Sequence, residues 1–153
     1  MAIRQVDISR KKPVKREAIA IGRIRLKPST IKLIREGSVE KGDPLQLARV
    51  AGIIGAKLTP SIMPLCHIIK LEKVEITTTL HDDYVEVQSH VVATEKTGVE
   101  MEALAAVSTA LLNIWDAVKQ YEKDEEGQYP ETAITDIRVL RKVKQEVESP
   151  RGA

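Results

Sequence analysis

The sequence predicts an α+β domain, and three observations carry that prediction. Residues 68–80 and 84–93 alternate, with Val74, Ile76, Thr78 and Leu80 in step on one side of His81-Asp82-Asp83, and Val85, Val87, Ser89, Val91 and Ala93 on the other, which is the pattern of a hairpin. Asp43-Pro44 opens a helix, with Asp as the N-cap and Pro in the first helical position. A longer apolar stretch from about Gly98 to Tyr121 has helical spacing. With a strand near 17–27 and another near 133–143, the order is β-α-α-β-β-α-β. Setting aside the short first helix leaves β-α-β-β-α-β, the ferredoxin-like arrangement of an antiparallel sheet with helices on one face.

Taken in order, residues 1–16 read as a flexible basic arm broken by Pro13. From Glu17 the chain alternates, Ile19 and Ile21 against Ala18, Ala20, Ile24 and Leu26, as a strand does. Pro28-Ser29-Thr30 starts the short helix and Gly37 stops it. The next helix, 43–57, places Ala48, Gly52 and Ala56 four apart, and Ala51 and Gly55 likewise. Glycine inside a helix costs about 1 kcal/mol relative to alanine, so two of them imply close approach of another backbone, either in the same chain's sheet or in another subunit. Residues 59–67 hold two prolines and are not expected to continue the helix. After the hairpin and the long helix, a polar loop (KDEEGQYPE) leads to the last strand. Residues 17–144 thus form a single domain, and 145–153 a disordered tail.

Composition narrows the function classes. Phe is absent and aromatic residues are 3% of the 153, so the core rests on Ile, Leu, Val and Ala. A net charge of +2 is too small for a nucleic-acid binder, although it is unevenly spread. Residues 1–27 carry nine Lys or Arg against Asp7 and Glu17, whereas 72–102 carry eight acidic residues against Lys73 and Lys96. Cys66 is the lone cysteine, which excludes an internal disulfide and fits a reducing compartment. No apolar run approaches the ~18 residues of a membrane span, and no signal peptide is evident, so a cytoplasmic location is expected.

Four constellations carry candidate chemistry. Lys41-Gly42-Asp43 sits before a helix N-terminus and suits an anion. Lys57 stands near Cys66-His67. One cysteine and three scattered histidines, without CxxC or HxxxH, make no metal site, so His67 reads as a hydrogen-bonding or proton-transfer residue. Lys96-Thr97-Gly98-Val99-Glu100-Met101-Glu102 runs into the long helix, whose dipole favours first-turn carboxylates. At the far end, Asn113, Asp116 and Lys119 recur every three residues amid apolar neighbours. There an Asp116–Lys119 pair is worth ~0.2–0.5 kcal/mol if exposed, and its protonation is tuned if desolvated. Glu102 and Asp116 lie fourteen residues apart, on the order of 21 Å along a helix. No compact ligand spans that, so a site using both needs a long ligand or combines ends from two copies of the chain, and the second is favoured.

Together the strings VDIS (6–9), KREA (15–18), KGDPLQLARVAGIIGAK (41–57), IMPLCH (62–67), KTGVEMEAL (96–104) and WDAVK (115–119) resemble the molybdenum-cofactor biosynthesis protein C family, over about residues 5–143. Ile68 stands where that family usually has proline, and the family's Gly-Lys-rich C-terminal stretch is missing. The resemblance implies a lyase that converts (8S)-3',8-cyclo-7,8-dihydroguanosine 5'-triphosphate to cyclic pyranopterin monophosphate with release of pyrophosphate. It also implies a homohexamer, a trimer of dimers with active sites at the dimer interface. It puts catalysis on Lys41, Asp116 and Lys119, with lysine pKa values lowered to supply a neutral base. Arg16, Lys57 and His67 would grip the triphosphate, with Cys66 packing beside them. Glu100, Met101 and Glu102 would hold the purine-derived end. It implies no bound cofactor or metal beyond magnesium carried with the triphosphate.

Two rivals share the fold. An RNA-binding module would stack bases on strand aromatics, which this chain lacks. A non-catalytic nucleotide-sensing regulatory domain would bind ligand without turnover, and would show only an ordinary arrangement of charges near Lys41 and Asp116.

Overall fold

The computed structural model describes residues 1–146. Its elements are β1 (Val14–Arg25), α1 (Pro28–Glu36), α2 (Pro44–Lys57), α3 (Thr59–Ile62), β2 (Lys73–Leu80), β3 (Tyr84–Glu95), α4 (Glu100–Glu122) and β4 (Ala133–Gln145). The sheet runs β2-β3-β1-β4, with every neighbouring pair antiparallel. This is the expected ferredoxin-like arrangement.

β1 begins at Val14, three residues before the expected start at Glu17. Lys15 and Arg16 obscure the alternation because both are charged, yet Arg16 lies on the buried parity with Ala18 and Ala20. β2 begins at Lys73 rather than near 68. The prolines after α2 permit the single turn α3, since Pro60 occupies a first-turn position where no N–H is needed. Of the tail expected over 145–153, Gln145 ends β4 and residues beyond Glu146 lie outside the described residues.

The core lies between the sheet and α2 and α4. Ala20, Ile24, Val85, Val87 and Val91 from the strands meet Ala103, Ala106, Val107, Leu111 and Ile114 from α4. Gly22 lets α4 settle on β1, because a Cβ there would come within 2.8 Å of Val107 and 2.9 Å of Leu111. β1 and β4 pair through two register shifts, and Asp136 in the second takes a left-handed φ of 56°.

The glycines of α2 answer the close-approach question. A Cβ on Gly55 would meet Thr109 Cβ at 2.7 Å and the Ala105 carbonyl at 2.9 Å; one on Gly52 would meet Ile76 of β2 at 2.8 Å. The small residues therefore seat α2 mainly against α4, a helix neighbour in the same chain rather than the sheet alone. α2 is consequently small inside and large outside, with Leu47, Val50, Ile54 and Leu58 exposed along one face.

α4 is long and apolar enough, by length and composition, to cross a membrane, contrary to the expectation that no run approaches that length. Much of its apolar stretch is buried in the domain, as befits a central core helix.

Candidate active site

The loop between α1 and α2 delivers Lys41 to the C-terminal part of α4. Asp43 caps α2 by accepting a hydrogen bond from the Leu45 N–H at 2.9 Å, which ends the loop where the sequence places the cap. Lys41 Nζ donates to the Asp116 carbonyl at 3.1 Å and lies 3.5 Å from Asp116 Oδ2. Lys119 Nζ lies 3.0 Å from Asp116 Oδ1. One carboxylate thus gathers two ammonium groups, one from its own helix and one from 75 residues away.

The three groups are half exposed rather than desolvated, because Asp116 and Lys119 lie on the side of α4 away from buried Ile114, Ala117 and Val118. Lys119, by hydrogen bond and charge, holds the Asp116 carboxyl below its usual range, and Lys41 adds to this. Asp116 in turn pushes Lys119 up. For Lys119 that runs against the expectation of a lowered lysine pKa. Within this chain an opposite charge at 3.0 Å outweighs desolvation, and Lys119 is an ammonium.

At the other end of α4 a cavity of about 300 Å³ opens between the N-terminal arm, the loop after α3 and the start of the helix. Cys66, His67, Glu100, Met101 and Glu102 all line it, as do Thr97 and Gly98. Gly98 leaves room for the Glu100 carboxylate, which would have to shift to admit a Cβ there. Glu102 is 3% exposed, and burial pushes its carboxyl up to about 7, with the Glu100 charge adding to the rise. One oxygen of each glutamate, Oε2, is buried without a hydrogen-bond partner among the described residues. Burial, then the charges of Glu102 and Glu100, raise the Cys66 thiol, so it is a poor nucleophile and a packing group.

Arg16, Lys57 and His67 do not converge on one point. Arg16 is buried in β1, where its Nε and Nη2 donate to the carbonyls of Glu95 and Lys96 at 3.4 Å each, bracing the loop that leads to Glu100. Lys57 ends α2 and lines a separate hollow with Ile53 and Leu71. His67 Nε2 lies 2.7 Å from the Val6 carbonyl, while Gln5 donates to the Cys66 carbonyl at 3.2 Å, so the arm lies along the cavity wall.

Lys142 of β4 is not legible in the sequence as a site residue. Its Nζ lies 3.2 Å from Glu100 Oε1. The two one-residue shifts between β1 and β4 cancel, so Lys142, opposite Ala18, shares the face of Ile134, opposite Ile24; what the sequence does not show is its meeting with Glu100, 42 residues away.

The chain is matched over residues 5–145 by the model of the MoaC family. It is 57% identical, over 94% of its length and 92% of the relative's, to a protein of Pyrococcus furiosus named probable cyclic pyranopterin monophosphate synthase. Proteins of the same name from Aeropyrum pernix (55% identity, covering 91% of this chain and 95% of that one) and Saccharolobus solfataricus (53%, covering 93% and 95%) are similarly close. The chain belongs to the MoaC family.

Proposed function

We propose that this protein is a molybdenum-cofactor biosynthesis enzyme that converts (8S)-3',8-cyclo-7,8-dihydroguanosine 5'-triphosphate to cyclic pyranopterin monophosphate and pyrophosphate, acting as a phosphorus–oxygen lyase. The observation that carries this reading is the meeting of Lys41, Asp116 and Lys119 within hydrogen-bonding range. Close relatives bearing the synthase name support the same conclusion.

The reaction needs protons moved as one ring opens and another closes. A ribose-derived hydroxyl then attacks the α-phosphorus, a new P–O bond forms, and the bond to the bridging oxygen breaks with pyrophosphate leaving. Lys119, kept protonated by Asp116, suits the proton donor and the cation that faces the developing phosphate charge. Lys41 reaches the carboxylate at a longer 3.5 Å and suits the base once substrate displaces that contact. Asp116 orients both. At the far end, Glu100 and Glu102 present buried oxygens without partners to a purine-like edge rich in N–H groups.

The two clusters occupy opposite ends of a helix roughly 1.5 Å long per residue, too far apart for one ligand within one chain. The reading therefore includes a homo-oligomer in which one copy's lysine end faces another copy's glutamate end; the family resemblance implies that it is a trimer of dimers. The exposed Leu47, Val50, Ile54 and Leu58 face of α2, running beside α4, is the apolar surface such a contact needs. Magnesium used in the reaction would enter on the triphosphate, whose oxygens are the hard ligands that ion prefers. A cytoplasmic setting belongs to the same reading, and the lone cysteine fits a reducing compartment.

The test is incubation with the cyclised dihydro-GTP. Release of pyrophosphate together with an oxidisable pterin is expected, and binding without either product would overturn the proposal in favour of a sensor.

A further inference from the structure

α4 ends on three consecutive side chains, Gln120, Tyr121 and Glu122, and each holds a different part of the segment that carries Lys41. Glu122 is completely buried. Its two carboxylate oxygens accept the Lys27 N–H at 3.2 and 3.1 Å. They also accept the Thr30 hydroxyl and, at 2.8 Å, the Thr132 hydroxyl. Lys27 precedes α1 and Thr30 lies in its first turn, and the helix has no side-chain cap of its own. One carboxylate thereby ties the end of α4 to the start of α1 and to the approach to β4.

The opposite end of α1 is fixed as well. Gly37 takes a left-handed φ of 70°, and the Ser38 N–H closes onto the Leu33 carbonyl at 2.9 Å, which sets the direction of the chain into the Lys41 loop. Val39 is then buried, and the Tyr121 hydroxyl accepts the Glu40 N–H at 2.9 Å. Gln120 Nε2 donates to Glu40 Oε2 at 3.0 Å. Lys41 comes next in the chain and reaches Asp116, one turn before Gln120. An exposed loop folds without such restraints. Here three successive residues of α4 supply them to the residue beside Lys41 and to the helix that aims it.

We infer that Glu122, Tyr121 and Gln120 are positioning residues that set the Lys41 ammonium over Asp116 and Lys119. The inference rests on the role proposed for Lys41, and none of the three touches the reacting atoms. Misplacing a reacting group by an ångström costs about a hundredfold in rate, so a loop held this way has a direct kinetic consequence.

The test reads Lys41 itself in the full-length folded protein. Acetylation by an amine-selective reagent is followed by mass spectrometry, with Lys12 and Lys70 as internal standards. Tyr121→Phe and Glu122→Ala are expected to raise the relative Lys41 rate, as its ammonium spends less time on Asp116. Glu122→Gln keeps an oxygen for Lys27 and an amide that donates to the Thr132 oxygen, and is expected to restore the wild-type rate. In turnover the first two variants should lose about tenfold in kcat with KM nearly unchanged. Tyr121→Phe removes one partly exposed hydroxyl, so it carries the test even where Glu122→Ala fails to fold. Unchanged Lys41 reactivity in Tyr121→Phe would overturn the inference. Absence of turnover by the wild-type protein would defeat the proposed reaction, whereas the acetylation rates would still report how Lys41 is held.

Discussion

At its C-terminal end α4 holds Asp116 between two solvent-touching ammonium groups; at its N-terminal end it holds Glu102 in the interior, 3% exposed, with a second carboxylate nearby. Both ends are polar clusters on one helix, but they respond oppositely to pH. Asp116 is lowered, so its contribution to stability is present above the ordinary carboxylate range and lost only as pH falls through the depressed value. Lys119 is raised, so its contribution is full below about pH 10.5 and lost above that. The Asp116–Lys119 pair is therefore electrostatically constant across neutral pH. Glu102 titrates near 7, where the enzyme would work. Exposure beside counter-charges makes a fixed site, and burial without them makes a labile one.

Removing the fixed charges gives the largest expected effect. Lys41→Ala or Lys119→Ala should lower turnover by at least ~10²-fold, the usual scale of a lost acid or base. The melting temperature should move little, because exposed ion pairs contribute little to stability. Retained activity would remove the distinction between the two ends.

The labile end is sharpened by Glu102→Gln. A carboxyl with its pKa raised from 4.5 to about 7 favours the folded state fully below pH 4.5, and that advantage is lost as pH rises to 7. Glu102→Gln should therefore be more stable than wild type above pH 7 by about 2–3 kcal/mol, with the gap closing towards pH 4. Denaturant midpoints measured across that range check the sign; a gap that widens at low pH would contradict the burial argument.

A smaller effect is expected between the ends, where α2 is seated against α4. Gly55→Ala inserts a Cβ 2.7 Å from Thr109 Cβ. Overpacking of this kind costs about 1–3 kcal/mol, partly offset by roughly 1 kcal/mol of helix propensity. A net loss of stability in calorimetry, with both clusters' ligand responses intact, is the expected result.

The hairpin and α2 are legible in the sequence because their signals are local. Alternation over 73–93 and the Asp43-Pro44 cap require no knowledge of distant residues, and both appear where expected. Pairing of Asp116 with Lys119 is visible as an i,i+3 spacing, and the resemblance adds Lys41. What local pattern misses is what long-range packing decides. Arg16 reads as part of an arm but is buried beneath the Glu95–Lys96 carbonyls. Glu122, one residue past the expected end of the long helix, carries no local signal, yet it is the acceptor on which α1 begins. Lys142 meets Glu100 across 42 residues of sequence, through the packing of α4 on the sheet. The direction of the Lys119 shift is equally hidden, since it depends on how much solvent the end of α4 retains.

That two such different ends serve one substrate is the claim on which the functional account stands, and mixing inactive subunits tests it most directly. Lys41→Ala protein and Glu102→Ala protein, each inactive alone, are refolded together in equal amounts and assayed with the cyclised dihydro-GTP. Across a two-fold interface half of the randomly formed dimers are mixed, and each mixed dimer holds one intact site, so about a quarter of wild-type activity should return. Mixed assemblies that remain as inactive as their parents would place both ends of the site on the same copy and contradict the account.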